Sequence, residues 1–162
     1  YHRAMTICER ECEEMRGKYF DEWNENEGFE TRSRTITEAD VVMFAGMTGD
    51  YNELHTNEEY MKGTQFGRRI VHGLLGLSIS HGLLFRTGFL DGTAIAFVGI
   101  EDWKFIAPIY FGDTIRARVK VAGKIPSKSK KDRGIIMLYL ELLNQDNVIV
   151  QSGYKTLMMK RA

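Results

Sequence analysis

The sequence predicts an α+β domain in which a curved antiparallel sheet of about five strands wraps round one long central helix. Residues 73–85 carry apolar side chains in nearly every helical direction, which is typical of a helix that is buried on most sides. Four segments with strand character follow this helix in succession. Because an antiparallel sheet can keep one face in water, its other face is free to cover the helix.

Two segments precede the first predicted helix. Residues 17–28 are rich in turn formers and acidic residues, and Phe20 and Trp23 are the expected apolar anchors. Residues 29–36 are predicted to form one strand, because small hydroxyl residues recur at every second position. The side chains expected on one face of that strand are Thr31, Ser33 and Thr35.

Two short helices are then predicted ahead of the central one. Thr37 and Asp40 have the spacing of a capping box, in which the cap and the acid three residues later satisfy each other's backbone amides. This helix is expected to be stopped by Gly46 and Gly49, and Asn57 is expected to cap a second helix over residues 58–62. The residues expected on the buried side of the first helix are Val41, Val42, Phe44 and Ala45.

The predicted strands after the central helix form an antiparallel meander. They are residues 94–105, 114–121, 134–144 and 148–159. Apolar and polar residues alternate most clearly in residues 114–121, which predicts one buried and one wet face. The side chains predicted to face inward are Ile115, Ala117, Val119 and Val121 there, and Ile136, Leu138, Leu140 and Leu142 in the next strand.

Length, composition and charge limit the classes of protein to which this chain can belong. Neither a linker nor a repeat divides residues 17–162, so these are predicted to form a single domain after an N-terminal arm or short helix over residues 1–16. Lysine plus arginine equals aspartate plus glutamate, at 22 each, so no excess charge indicates nucleic acid or a membrane surface as a partner. With two cysteines and no signal peptide or membrane segment recognised, we expect a cytoplasmic protein.

Three motifs surround the predicted central helix. Residues 49–55 fit G-D-x-N-x-x-H, residues 66–73 fit F-G-x-x-I-V-H-G, and residues 105–114 read FIAPIYFGDT. In this combination the chain, over residues 17–157, resembles the MaoC-like acyl dehydratases, the (R)-specific enoyl-CoA hydratase family. The resemblance implies a hot dog fold, a homodimer, no cofactor, and hydration or dehydration of acyl thioesters carried by CoA or acyl carrier protein.

Three positions depart from the family's usual pattern. Glu53 and Arg69 stand where the family commonly has proline, and His81 stands where it often has a small residue. The first two bear on loop shape, whereas His81 bears on the range of substrates.

Hydration of a C=C bond conjugated to a thioester needs a base for water, a proton for C2 and a donor to the thioester oxygen. Asp50 and His55 are suited to gripping one water between them, and histidine titrates near working pH. Gly73 begins the central helix, where free amides and the helix dipole stabilise an enolate-like oxygen. The sequence does not decide which of Asp50 and His55 is the base.

Further residues are assigned to the loop and the substrate side. Asn52 is expected to bond the backbone of its own loop, and His72 to bond backbone as a structural residue, with direct catalysis as the alternative. The residues predicted to bind substrate are Asn52, Phe66, Ile70, Val71, His72 and His81. No metal is expected, because the histidines lack the close spacing of a zinc site.

Two other functions remain open from sequence. A hot dog thioesterase would direct a carboxylate-activated water at the thioester carbonyl rather than at C3. A non-catalytic acyl-binding subunit would keep the fold without the reactive groups. The presence of both Asp50 and His55 disfavours each alternative.

Overall fold

The computed structural model describes residues 16–162, so the arm or helix predicted over residues 1–16 lies outside the described residues except for Arg16. A short 3-10 turn, Phe20–Glu22, precedes the first strand. The helices are α1 (Glu38–Thr48), α2 (Glu53–Thr56), α3 (Glu58–Lys62) and α4 (Gly73–Phe85). The strands are β1 (Gly28–Glu30), β2 (Arg34–Thr35), β3 (Ala94–Phe105), β4 (Thr114–Pro126), β5 (Arg133–Leu143) and β6 (Ile149–Lys160).

The strands pair antiparallel in the order β1-β4-β5-β6-β3, with the short β2 also paired to β4. Helix α4 packs against the inner face of this sheet, which confirms the predicted α+β architecture. All eight side chains predicted to face inward on β4 and β5 are at most 1% exposed. β4 runs five residues past its predicted end at Val121, to Pro126.

One strand of the predicted meander is misplaced, because β3 pairs with β6 and not with β4. Residues 106–113, which connect β3 to β4, do not form a hairpin. Instead, the N–H groups of Ile106 and Ala107 donate to the Val150 carbonyl at 2.9 and 3.1 Å. The long connection lets the chain cross the sheet, so β3 forms one edge and β1 the other.

Residues 29–36 form two short strands rather than the single strand predicted. The pairing register along β4 shifts by one residue between β1 and β2. Thr31 lies at this shift, where its N–H donates to the Ala117 carbonyl and its Oγ1 accepts from the Ala117 N–H, both at 2.9 Å. Thr31 is thereby buried while Ser33 and Thr35 are exposed, so the predicted common face is wrong.

The caps of the short helices are confirmed. Thr37 Oγ1 accepts from the Asp40 N–H at 3.4 Å, and Asp40 Oδ2 accepts from the Thr37 N–H at 2.8 Å. Gly49 ends α1 with φ 78°, whereas Gly46 lies within the helix and does not stop it as predicted. Asn57 caps α3 by accepting from a first-turn N–H at 3.0 Å. Val42 does not face the core as predicted: it is 61% exposed because it lies on the solvent side of α1.

Helix α4 has the predicted bounds but is buried only on its sheet side. The buried apolar residues of α4 are Leu75, Ile79, Leu83 and Leu84. Leu74 is 58% exposed and Phe85 36% exposed, so burial on nearly every side is wrong for a single chain. Within residues 16–162, α4 included, no helix reaches the length and hydropathy that a bilayer crossing requires.

Candidate active site

The segment before α4 is held between two other parts of the chain. The Ile70 N–H donates to the Leu54 carbonyl at 3.0 Å, which ties the segment to α2. The Val71 N–H donates to the Ile109 carbonyl at 2.8 Å, which ties it to the connection between β3 and β4. The three motifs therefore meet at the N-terminus of α4, although the third lies more than 30 residues after the second.

His55 is buried and has a defined tautomer. Its Nδ1 lies 2.8 Å from the Ile70 carbonyl oxygen, which can only accept, so Nδ1 carries the proton and Nε2 of the neutral ring keeps a lone pair. Burial lowers the pKa of His55 below its ordinary value, and the neighbouring His72 also lowers this pKa. The Ile70 bond and the Asp50 charge oppose this shift without reversing it. A neutral imidazole with a free Nε2 is a base.

Asp50 and the two histidines form a compact cluster. An Asp50 carboxylate oxygen and one ring nitrogen each of His55 and His72 lie within 4.8 Å of one another. The two imidazole rings are tilted by 31° to each other, with centroids 3.8 Å apart. His72 Nε2 donates to the Asp50 carbonyl oxygen at 2.9 Å, which is the backbone bond predicted for it. The separation lets Asp50 and His55 share one water at ordinary hydrogen-bond lengths.

The same three groups are also a possible set of metal ligands. His72 Nδ1 is buried and has no hydrogen-bond partner among the described residues, so its lone pair is available. A carboxylate and neutral imidazoles suit several divalent cations as well as water. The expectation that no metal takes part therefore stays a prediction, and a chelator tests it below.

A cavity of about 400 Å³ begins at His55. Its walls are formed by His55, Phe66, Ile70, Val71, Gly73, residues 105–109 and Gln151. Five of the residues predicted for the site thus share one cavity. Asp50 and His72 lie beside it through their contacts with His55.

Gly73 combines two properties at the wall of this cavity. As the first residue of α4 it belongs to the turn whose N–H groups have no acceptor inside the helix. A Cβ built on Gly73 would come within 2.8 Å of the Phe105 ring, so close packing also requires glycine there. Gly73 can therefore serve both in packing and in binding an oxyanion. Only the packing against Phe105 is seen as a contact.

A model of the family described as "MaoC like domain" matches residues 23–136. The chain belongs to the MaoC-like dehydratase family. This confirms the family resemblance carried by the three motifs. The (R)-specific enoyl-CoA hydratase of Rhodospirillum rubrum is 36% identical over 110 residues, which is 68% of this chain and 74% of the relative.

Solved structures support the fold of this MaoC-like protein. A protein from Archaeoglobus fulgius described as a monoamine oxidase regulatory protein superposes with a TM-score of 0.83 at 33% identity, covering 91% of this chain and 97% of that one. A Mycobacterium tuberculosis protein with a double hot dog fold superposes with a TM-score of 0.74 at 17% identity, covering 90% of this chain and 45% of that one. The predicted hot dog fold is confirmed.

Two departures from the family motif have local structural roles in this MaoC-like protein. Asn52 Oδ1 accepts from the Leu54 N–H at 3.0 Å and caps α2, as predicted, which leaves Glu53 at the first helical position. Proline is also favoured at that position. Arg69 donates to Glu38 at 2.9 Å and to Glu58 at 2.8 Å, so it joins α1 to α3.

The third departure, His81, lies outside the cavity at His55. It lines a separate cavity of about 260 Å³ farther along α4. Its ring contacts Phe85 and Phe97, with centroids 4.9 and 4.7 Å away. Any contact of His81 with substrate would therefore involve a part distant from the reacting carbons.

Gln151 is a cavity residue that the sequence did not single out. It is 1% exposed, its Nε2 donates to the Gly73 carbonyl at 3.0 Å, and its Oε1 accepts from Trp103 Nε1 at 3.1 Å. These bonds fix the first turn of α4 to β6 and β3. The sequence does contain an indication of this role: Gln151 is a polar residue on the same face of β6 as the buried Leu157 and Met159.

The buried position of His55 predicts its titration. Because burial disfavours the charged ring, we expect less than half of His55 to be protonated at pH 6.5, where an exposed histidine is half protonated. NMR titration of the imidazole signals, with the His55 signal assigned by its loss in His55→Gln, checks this. A midpoint below pH 6.5 is expected, and a midpoint at or above pH 6.5 contradicts the burial argument.

Proposed function

We propose that this MaoC-like protein is a hydro-lyase that adds water to trans-2-enoyl-CoA thioesters and removes water from (R)-3-hydroxyacyl-CoA in reverse. The observation that carries the proposal is the pairing of the Asp50 carboxylate with a neutral His55 at the wall of a largely apolar cavity. The hydratase name of the Rhodospirillum rubrum relative supports the reaction class.

The proposed reaction uses one water held by Asp50 and His55. The water oxygen forms a bond to C3, one of its protons passes to the cluster, and the electron pair of the C=C bond moves toward the thioester. C2 then receives a proton from the cluster, so the hydroxyl and the hydrogen come from the same side. His55 Nε2 is suited to accepting a proton because Nδ1 is already committed to Ile70.

In this proposal the Gly73 N–H stabilises the negative charge that develops on the thioester oxygen. The N-terminus of α4 offers this amide and the positive end of the helix dipole. Gln151 holds the Gly73 carbonyl, which fixes the direction of that first turn. The acyl chain then lies against the apolar wall formed by Phe66, Ile70 and Val71.

Substitutions that keep shape but remove proton transfer test this assignment. Asp50→Asn and His55→Gln should each lower kcat on trans-2-enoyl-CoAs of graded length by roughly 10²–10⁴-fold, with KM nearly unchanged. The double variant should lose far less than the product of the two effects, because both groups act on one water. Loss of enoyl absorbance is the measurement, and Glu59→Gln, an exposed carboxylate on α3, is the control.

Two further readouts separate the alternatives. Release of free thiol without loss of a 2-enoyl substrate would indicate a thioesterase. Activity that disappears with a chelator and returns with a divalent cation would indicate that the cluster holds metal. Near-full hydratase activity in Asp50→Asn would refute the catalytic assignment.

We further infer that two chains join through β3. Among residues 16–162 this strand forms a twelve-residue edge of the sheet, and unpaired edges of that length are rarely left open. Its side chains are unusually apolar for exposed positions. Those at least 38% exposed are Ile95, Phe97, Val98, Ile100 and Phe105.

A charge placed on this edge should separate the chains. Light scattering at micromolar concentration is expected to give twice the chain mass for the unmodified protein and a lower mass for Val98→Lys. Ile125→Lys is the matched control, since Ile125 is similarly exposed but lies on β4. A stable monomer of the unmodified protein would contradict the dimer.

A further inference from the structure

A second cavity, of about 260 Å³, lies between α4 and the β3 edge of the sheet. Its walls are Leu77, Ser78, His81, Phe97, Ile100 and Lys155. The proposed reaction uses none of these residues. The cavity is largely apolar, yet two of its six walls are basic side chains and none is acidic.

Lys155 is the unusual member of this cavity. It is fully buried on the inner face of β6, and its Nζ donates to Ser80 Oγ at 2.7 Å and lies 5.1 Å from the centre of the Trp103 ring. Within residues 16–162 no carboxylate pairs with it. Burial lowers the pKa of Lys155 to about 7, as expected for an ammonium group without an anionic partner.

His81 adds a second unsatisfied group to the same cavity. Its Nδ1 is buried without a hydrogen-bond partner among the described residues. Burial lowers the pKa of His81, and the charge of Lys155 lowers it further. Buried polar atoms in proteins are normally bonded, so an unbonded ring nitrogen beside a lysine that lacks an anionic partner indicates room for a polar group.

The second cavity borders α4 about one turn beyond the first. Gly73 borders the first cavity and Leu77 the second, and four helical residues span about 6 Å. Trp103 connects the two cavities, because its Nε1 bonds Gln151 in the first and its ring faces Lys155 in the second. A short acyl chain that runs from Gly73 along α4 would have its far end near Lys155.

We propose that the second cavity binds a carboxylate at the far end of the acyl chain, so that the preferred substrates are 2-enoyl thioesters of short dicarboxylic acids. This inference rests on the proposed hydratase function. A carboxylate there would accept charge-assisted bonds from Lys155 and, when its ring is suitably protonated, from His81. A methyl-ended chain of the same length would leave Lys155 buried without an anion.

Matched thioesters that differ only at the far end test the proposal. Crotonyl-CoA is compared with fumaryl-CoA, and trans-2-hexenoyl-CoA with trans-2-hexenedioyl-CoA. The unmodified protein is expected to hydrate the carboxylate-ended member of at least one pair with a kcat/KM about 10-fold or more above its partner.

Substitution at the basic groups should remove this preference. Lys155→Met is expected to lower the ratio of carboxylate-ended to methyl-ended kcat/KM by about 30-fold or more, the usual effect of truncating one partner of a buried charge pair. His81→Leu should lower the ratio by less. Lys160→Met, on the same strand with its Nζ bonded to the Gly92 carbonyl, is the control and should leave the ratio unchanged.

The outcomes separate this inference from the proposed function. Hydration of methyl-ended thioesters with equal or weaker hydration of both carboxylate-ended ones overturns the subsite and leaves the hydratase function standing. No hydration of any of the four thioesters overturns both. If Lys155→Met does not unfold cooperatively on heating, the test uses the unmodified protein and His81→Leu instead. A ratio of carboxylate-ended to methyl-ended kcat/KM that is the same in both then counts against the site.

Discussion

The proposed chemistry depends on one hydrogen bond, in which His55 Nδ1 donates to the Ile70 carbonyl oxygen at 2.8 Å. This bond fixes the tautomer, so that Nε2 of a buried and neutral ring is left to accept a proton. The N–H of Ile70 donates to the carbonyl of Leu54, next to His55, and this bond holds the Ile70 carbonyl in place. His55 and the Ile70 carbonyl that orients it are thus held together by hydrogen bonds between two short segments of the chain.

The sequence predicted correctly those helix bounds and caps that depend on neighbouring residues. The bounds of α4 follow from a local run of apolar residues, and the caps at Thr37 and Asn57 from cap chemistry within a few residues. The placement of β3 beside β6 and the break at Thr31 depend on pairings with distant strands, which periodicity does not encode. The exposed face of α4 was missed because hydropathy alone does not distinguish a buried apolar residue from one, such as Leu74, that faces solvent.

In the candidate site, too, some residues could be identified from sequence motifs and others only from the fold. Sequence motifs brought Asp50, His55 and Gly73 forward as candidates, and the fold places them at one end of α4. Gln151 and Lys155 were overlooked because each appears as a single polar residue in a strand. Their meaning depends on what lies opposite, namely the Gly73 carbonyl and the Ser80 hydroxyl, nearly 80 positions earlier in the chain. A polar residue at an inward strand position is the signal that can identify such residues from sequence.

The central claim is that one water, held on one side of the substrate by Asp50 and His55, supplies both the hydroxyl and the hydrogen. Hydration of crotonyl-CoA in D₂O tests it most directly, with the relative configuration at C2 and C3 read from NMR coupling constants of the product. Syn addition with the (R) configuration at C3 is expected, because both new bonds form on the face that the cluster occupies. Anti addition, or a mixture of configurations at C2, contradicts the claim.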